Sequence, residues 1–155
     1  MKFLLYLGLS ALLISLTSCA NQNPVETQPP VQETLTVDFK TGDHGVMTSN
    51  SYSGPLAIQV EGVGQASSTE MSDAFYIYTD TKGNPIQPWH PTEFYNWTLW
   101  INGEPADALL PLIPSYNSSH IYVFVINAPN GQLTFAVGDT GRDDNSGYYT
   151  ISILK

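Results

Sequence analysis

The chain has one cysteine, Cys19, so it cannot form an intrachain disulfide. It is also poor in cations, with 5 Lys and Arg against 14 Asp and Glu. Phosphate recognition needs clustered Lys and Arg, which argues against nucleic acid or an anionic surface as the main partner. No apolar run reaches the roughly 20 residues that a membrane-spanning helix requires. No window of a dozen residues sustains helical spacing, and prolines interrupt residues 88–91 and 111–114, which argues against a helical domain. Catalytic signatures are missing as well. His44, His90 and His120 sit in separate segments without His-x-His or His-Glu-x-x-His spacing, and there is no Gly-x-Ser-x-Gly elbow. Nothing in the spacing of Glu93 and Glu104 selects them as a carboxylate pair, so the chain reads as a non-enzyme.

What is present begins with an address. Met1-Lys2 precedes an apolar run over residues 3–16, and Leu16-Thr17-Ser18 places small residues directly before Cys19, the pattern of a secretory signal. The segment resembles a bacterial lipoprotein signal with its lipobox. That resemblance implies removal of residues 1–18, lipidation of Cys19, and anchoring to an envelope bilayer without a spanning segment. Ala20 and Asn21 follow the cysteine, which by resemblance to enteric-type sorting favours the outer membrane. An ordinary signal cleaved elsewhere is the alternative, and it leaves a lone exported thiol. Residues 19–33, rich in Pro, Gln and Asn, offer little to bury and read as an extended tether.

Residues 34–155 are expected to form one domain with its own core. Their periodicity is that of strands: Leu35, Val37 and Phe39; Leu56, Ile58 and Val60; Phe75 and Ile77; Trp97, Leu99 and Ile101; Ile121, Val123 and Val125; Leu133, Phe135 and Val137; Tyr149, Ile151 and Ile153. Gly, Pro and Asn clusters separate these runs, among them Ser53-Gly54-Pro55, Asn102-Gly103 and Pro129-Asn130-Gly131. About eight short strands with frequent turns predict an all-β fold, an antiparallel jelly-roll-like β-sandwich.

One loop concentrates the oxygen donors. Residues 138–147, GDTGRDDNSG, gather Asp139, Asp143, Asp144 and Asn145. Calcium accepts carboxylate, amide and main-chain oxygens, and a divalent cation would offset the mutual repulsion of three aspartates. The plain alternative is a metal-free hairpin loop in which Asp and Asn serve turn geometry and Arg142 offsets the charge. Ligand spacing excludes an EF-hand.

Residues 56–68 (LAIQVEGVGQASS), Asp73-Ala74-Phe75 and residues 121–153 resemble the calcium-dependent galactose-binding bacterial lectins of the PA-IL type. The most specific element is Asp144-Asn145-Ser146-Gly147 running into an alternating strand, with Asp139 upstream. The resemblance implies a β-sandwich and a calcium ion held by Asp139, by Asp144 and Asn145 in place of the family's asparagine pair, and by a main-chain carbonyl from Ala66-Ser67-Ser68, with Ser68 as the donor. Thr140 or Asp143 stands where the family has a threonine. The family's His-Pro-Asp-Gln clasp has no counterpart around residues 69–72, so the resemblance does not extend to galactose specificity.

The belt PWHPTEFYNWTLW, residues 88–100, supplies flat rings of the kind that stack on sugar C–H faces. Trp89 and His90 in a proline-rich loop, and Trp100 with parity opposite to Leu99, are the candidate ligand contacts; capping of the sandwich end is the bland reading of the same rings. The expectation is a lipid-anchored, lectin-like carbohydrate-binding protein with a calcium site. A structural or protein-interaction lipoprotein is the alternative.

Overall fold

A computed structural model describes residues 29–41, 44–65, 67, 69–91 and 97–154. The signal segment, Cys19, Ser68 and Glu93 lie outside the described residues. Among the described residues there are eleven strands: β1 (Val31–Asp38), β2 (Val46–Met47), β3 (Tyr52–Gln65), β4 (Met71–Ser72), β5 (Ile77–Thr79), β6 (Pro85–Trp89), β7 (Leu99–Ile101), β8 (Glu104–Pro105), β9 (Ile121–Gly131), β10 (Thr134–Val137) and β11 (Ser146–Leu154). One 3-10 turn spans Ala106–Leu109. Among the described residues no helix is long and apolar enough to cross a membrane.

The strands form two antiparallel sheets, as the alternation predicts. The larger runs β1-β11-β3-β4-β5-β6, with β9 also paired to β3, and the smaller runs β2-β10-β7-β8. The count exceeds the eight expected because β2, β4 and β8 are two residues each, too short to leave a period-two signature. β11 lies between β1 and β3, with Leu35 opposite Ile151 and Ile151 opposite Val60. On the other side of β3, Ile58 faces Phe124. The core fills the space between Leu35, Val37, Ile58, Val60, Tyr149, Ile151 and Ile153 of the larger sheet and Leu99, Ile101, Phe135 and Val137 of the smaller. Each fully buried aliphatic side chain contributes roughly 1.5–3 kcal/mol.

Two local devices set the strand ends. Asn102 and Gly103, both at positive φ, make the tight turn between β7 and β8, and the Asn102 carboxamide oxygen accepts from the Thr134 N–H at 2.8 Å. β1 begins at Val31 rather than Thr34. Its Glu33 carboxylate explains the earlier start, accepting from the Asn50 and Tyr52 side chains at 3.1 and 2.8 Å and from main-chain N–H groups of Ser49 and Asn50. Burial pushes the Glu33 carboxyl upward, but these donors together hold it below its usual range.

The expected facing of β9 is reversed. Tyr122, Phe124, Ile126 and Ala128 are buried, whereas Val123 and Val125 are each 56% exposed. Both faces of IYVFVINA are apolar, so period two alone cannot choose between them. The inward face takes the aromatic rings, which remove more apolar area from water. The outer edge of β9 has no partner strand among the described residues.

Candidate functional site

Loop 138–145 joins the small sheet to β11, and the register Ser146 opposite Gln65 brings its exit beside the end of β3. Gly147, at φ +95°, lies so close to the Val63 carbonyl and the Gly64 Cα that a side chain there would overlap main chain. At the loop's entrance the Trp100 indole packs against Gly138 and leaves no room for a Cβ. Trp100 is therefore a wall of the loop's base.

Within the loop Asn145 turns inward and is 1% exposed. Its Nδ2 donates to the Phe39 carbonyl at 3.0 Å and to Asp139 Oδ2 at 2.8 Å, while Asp139 Oδ1 accepts from the Gly141 N–H at 3.0 Å. Asn145 Oδ1 is buried and accepts from no donor among the described residues. A buried acceptor of this kind costs about 1–3 kcal/mol unless a donor or cation reaches it. Asp143 and Asp144 form the exposed turn. Arg142 donates to the main-chain carbonyls of Thr41 and Val137 at 2.7 and 3.3 Å. Among the described residues no three His, Cys, Asp or Glu side chains converge. An ion at this loop would draw on amide and main-chain oxygens as much as on carboxylates.

The aromatic belt divides between sheets. Trp89, 45% exposed, ends β6 opposite Ile77, whereas Trp100 lies on β7 opposite Ala136. His90 follows Trp89 but turns inward. Its Nδ1 meets the Phe75 carbonyl at 2.8 Å and its Nε2 meets Asp107 Oδ2 at 3.1 Å. Trp97 packs on the core as expected.

A second cluster emerges that sequence spacing did not reveal. Asp73 follows β4 and is 0% exposed. Its Oδ1 accepts from the Phe75 and Tyr76 N–H groups at 3.0 and 2.8 Å, and its Oδ2 accepts from the Tyr122 hydroxyl and His120 Nδ1, both at 2.8 Å. Four donors thus fill the carboxylate, and its charge is fully hydrogen-bonded. The Tyr149 hydroxyl donates to the Asp73 main-chain carbonyl at 2.8 Å. Around this hub the Tyr78 ring stacks on His120 at 4.7 Å, Tyr116 meets His120 edge-on at 5.8 Å, and Tyr76 meets Tyr116 and His90 at 5.6 and 6.1 Å. His90, one of the expected ligand residues, thereby joins the hub.

Electrostatics follow from this packing. Burial first, and the Asp73 carboxylate second, push the Tyr78 phenol up to about 12 and the Tyr149 phenol well above its ordinary range. The same burial and the same carboxylate raise Tyr122. His120 adopts φ +55°, a left-handed conformation uncommon for a side-chain-bearing residue. The hub and the loop flank β3 at one end: His120 O accepts from Gly62 N at 3.3 Å on the β9 side, and the loop runs into β11 on the other. A groove of about 860 Å³ lined by Val31, Tyr52, Pro55, Leu56 and Val125 contains none of the expected site residues.

Only one sequence signal pointed toward the hub. Asp73 stands where a strand-like run, SDAFYIY, offers little else that is charged. Its partner His120 is 47 residues away, and no local pattern joins them.

No protein-family model matches the chain, and no curated protein matches it. Among solved structures the chain is similar to one described as "EclA N-terminal domain; PllA-like lectin", with 18% identity and a TM-score of 0.44 over 78% of this chain and 93% of that one.

Proposed function

We propose that this chain is a carbohydrate-binding β-sandwich whose glycan site is organised by calcium at loop 138–147, and that a lipid on Cys19 holds it at a bacterial envelope membrane, the outer one by the residues after the cysteine. The observation that carries the reading is the buried, unpartnered Asn145 Oδ1 beside the Asp139 carboxylate. That pair fits a hard cation, which takes amide and carboxylate oxygens together. Asp139 and Asn145 would hold the ion, with Asp143, Asp144 and a carbonyl near Ser68 as further oxygen donors. Bound calcium supplies a Lewis-acidic centre to which sugar hydroxyls can coordinate. The chain's own part is to fix Asn145 through Phe39 O and to wall the loop's base with Trp100, while Trp89 offers an exposed ring face nearer the other sheet's edge.

Thermal melting with calcium and with EGTA tests this directly, because an ion bound only to the folded state raises stability by RT ln(1 + [L]/Kd). At a calcium concentration about 100 times Kd the gain is ~2.7 kcal/mol. Asn145→Ala and Asp139→Ala should abolish the difference. A melt indifferent to calcium in the parent chain removes the loop from the account.

The unpaired β9 edge favours a second reading, a lipoprotein that presents this strand to an envelope protein. Capture of one stoichiometric partner, insensitive to EGTA and to free sugars and lost on Val125→Lys, would support it.

A further inference from the structure

We propose that the open rim of the Asp73 hub, formed by His120, Tyr78 and Tyr116, is a second ligand site that takes a neutral saccharide ring without a metal ion. The inference rests on the carbohydrate-binding reading for its ligand class but not on the calcium loop, which lies across β3.

The polar ends of the hub divide into two groups. Those of Tyr76, Tyr122 and Tyr149 are used inside the protein, on Pro114 O, Asp73 Oδ2 and Asp73 O. His120 Nε2 and the hydroxyls of Tyr78 and Tyr116 make no hydrogen bond among the described residues, and none of the three is a buried orphan, so all three reach solvent. Ring contacts of 4.7 and 5.8 Å hold them next to one another. Because Asp73 Oδ2 can only accept, His120 Nδ1 carries a proton, and Nε2 is the polar atom that the ring turns to the rim. The rim is thus one imidazole nitrogen between two hydroxyls that both donate and accept.

Charge selects the ligand class. The Asp73 carboxylate lies against His120 and acts on both Tyr78 and Tyr116, which disfavours an anion. Its two oxygens are already filled by four donors, which leaves none for a cation. A neutral molecule carrying several hydroxyls and an apolar C–H face matches both the polar tips and the ring surfaces. The site is also held in advance of binding: Asp73 fixes the imidazole, Tyr78 stacks on it, and the left-handed backbone at His120 persists only where surrounding contacts enforce it.

The test follows the imidazole nitrogens of the 15N-labelled chain by long-range NMR correlation. The probes are methyl glycosides of galactose, glucose, mannose, fucose and N-acetylglucosamine, added with excess EGTA. At least one glycoside is expected to shift His120 Nε2. His120→Asn keeps a residue that tolerates left-handed backbone and a donor toward Asp73 but removes the rim nitrogen, and it should weaken that binding roughly fivefold to tenfold. Tyr116→Phe removes one hydroxyl without disturbing the hub and should weaken it by a smaller factor in the same direction, while Asn145→Ala should leave it unchanged. The proposal is overturned if no glycoside moves the His120 resonances, or if both His120→Asn and Tyr116→Phe bind as the parent does. A parallel calcium titration of the Asn145 amide reports on the loop alone, so either site can fail without the other.

Discussion

Tyr149→Phe isolates one bond at the centre of the molecule. The hydroxyl lies in the core on the last strand and donates to the Asp73 main-chain carbonyl at 2.8 Å. Removing it forfeits a net hydrogen bond of about 1 kcal/mol and leaves a carbonyl of a fully buried residue without a donor, for a total near 2 kcal/mol. The ring itself stays packed edge-on against Phe39 at 4.8 Å, so no large cavity adds to the cost. For a domain of this size that loss corresponds to a fall in Tm of roughly 6–10 °C. Urea unfolding followed by tryptophan fluorescence should show a lower midpoint with an unchanged slope. Tyr148→Phe, one residue earlier and exposed, is the control and should move stability by less than about 0.5 kcal/mol. Equal midpoints for the two variants would refute the argument that the Asp73 hub fastens the final strand.

Further predictions concern separate parts of the structure. Phe124→Ala should cost about 3–5 kcal/mol while Val123→Lys is nearly neutral in urea unfolding, and the opposite order would contradict the facing of β9. Gly138→Ala should displace the Trp100 indole, visible as a changed near-ultraviolet circular dichroism spectrum with a loss of about 1–3 kcal/mol. Tyr78, Tyr122 and Tyr149 keep their protons in the folded chain above pH 10, where the unfolded chain releases them. Stability should therefore be complete below pH 10 and fall as pH rises toward the Tyr78 value of about 12, and Tyr78→Phe should flatten the slope. Glu33 titrates below its ordinary range, so its contribution is present above the usual carboxylate pKa and lost as pH falls through the folded value; Glu33→Gln should be most damaging at neutral pH and least in acid melts.

The sandwich was legible because Leu35/Val37, Leu56/Ile58/Val60 and Ile151/Ile153 each bury one face of an alternating strand. Alternation failed in β9, where valine on one face and aromatics on the other leave the sign undetermined until the opposing sheet is placed. The Asp139 to Gly147 loop was legible as chemistry, since Asp, Asn and Gly announce a turn, but the inward rotation of Asn145 depends on Phe39 O, which arrives from the first strand. The Asp73 hub was not legible. It is assembled by pairing β4 and β9 with the end of β3, and each of its side chains has an ordinary alternative in its own segment.

The position of β11 sets an order of events. Val31 pairs with Leu154, and the strand that fills the gap between β1 and β3 is the latest of the described strands along the chain. While the chain is being made, β1 has no hydrogen-bonding neighbour, and one side of β3 stays unpaired until β11 is present. The larger sheet therefore closes only once β11 is available, and such long-range closure is slow. Disrupting β11 would release β1 and bare one side of β3 together, so both strands depend on a segment far from either in sequence.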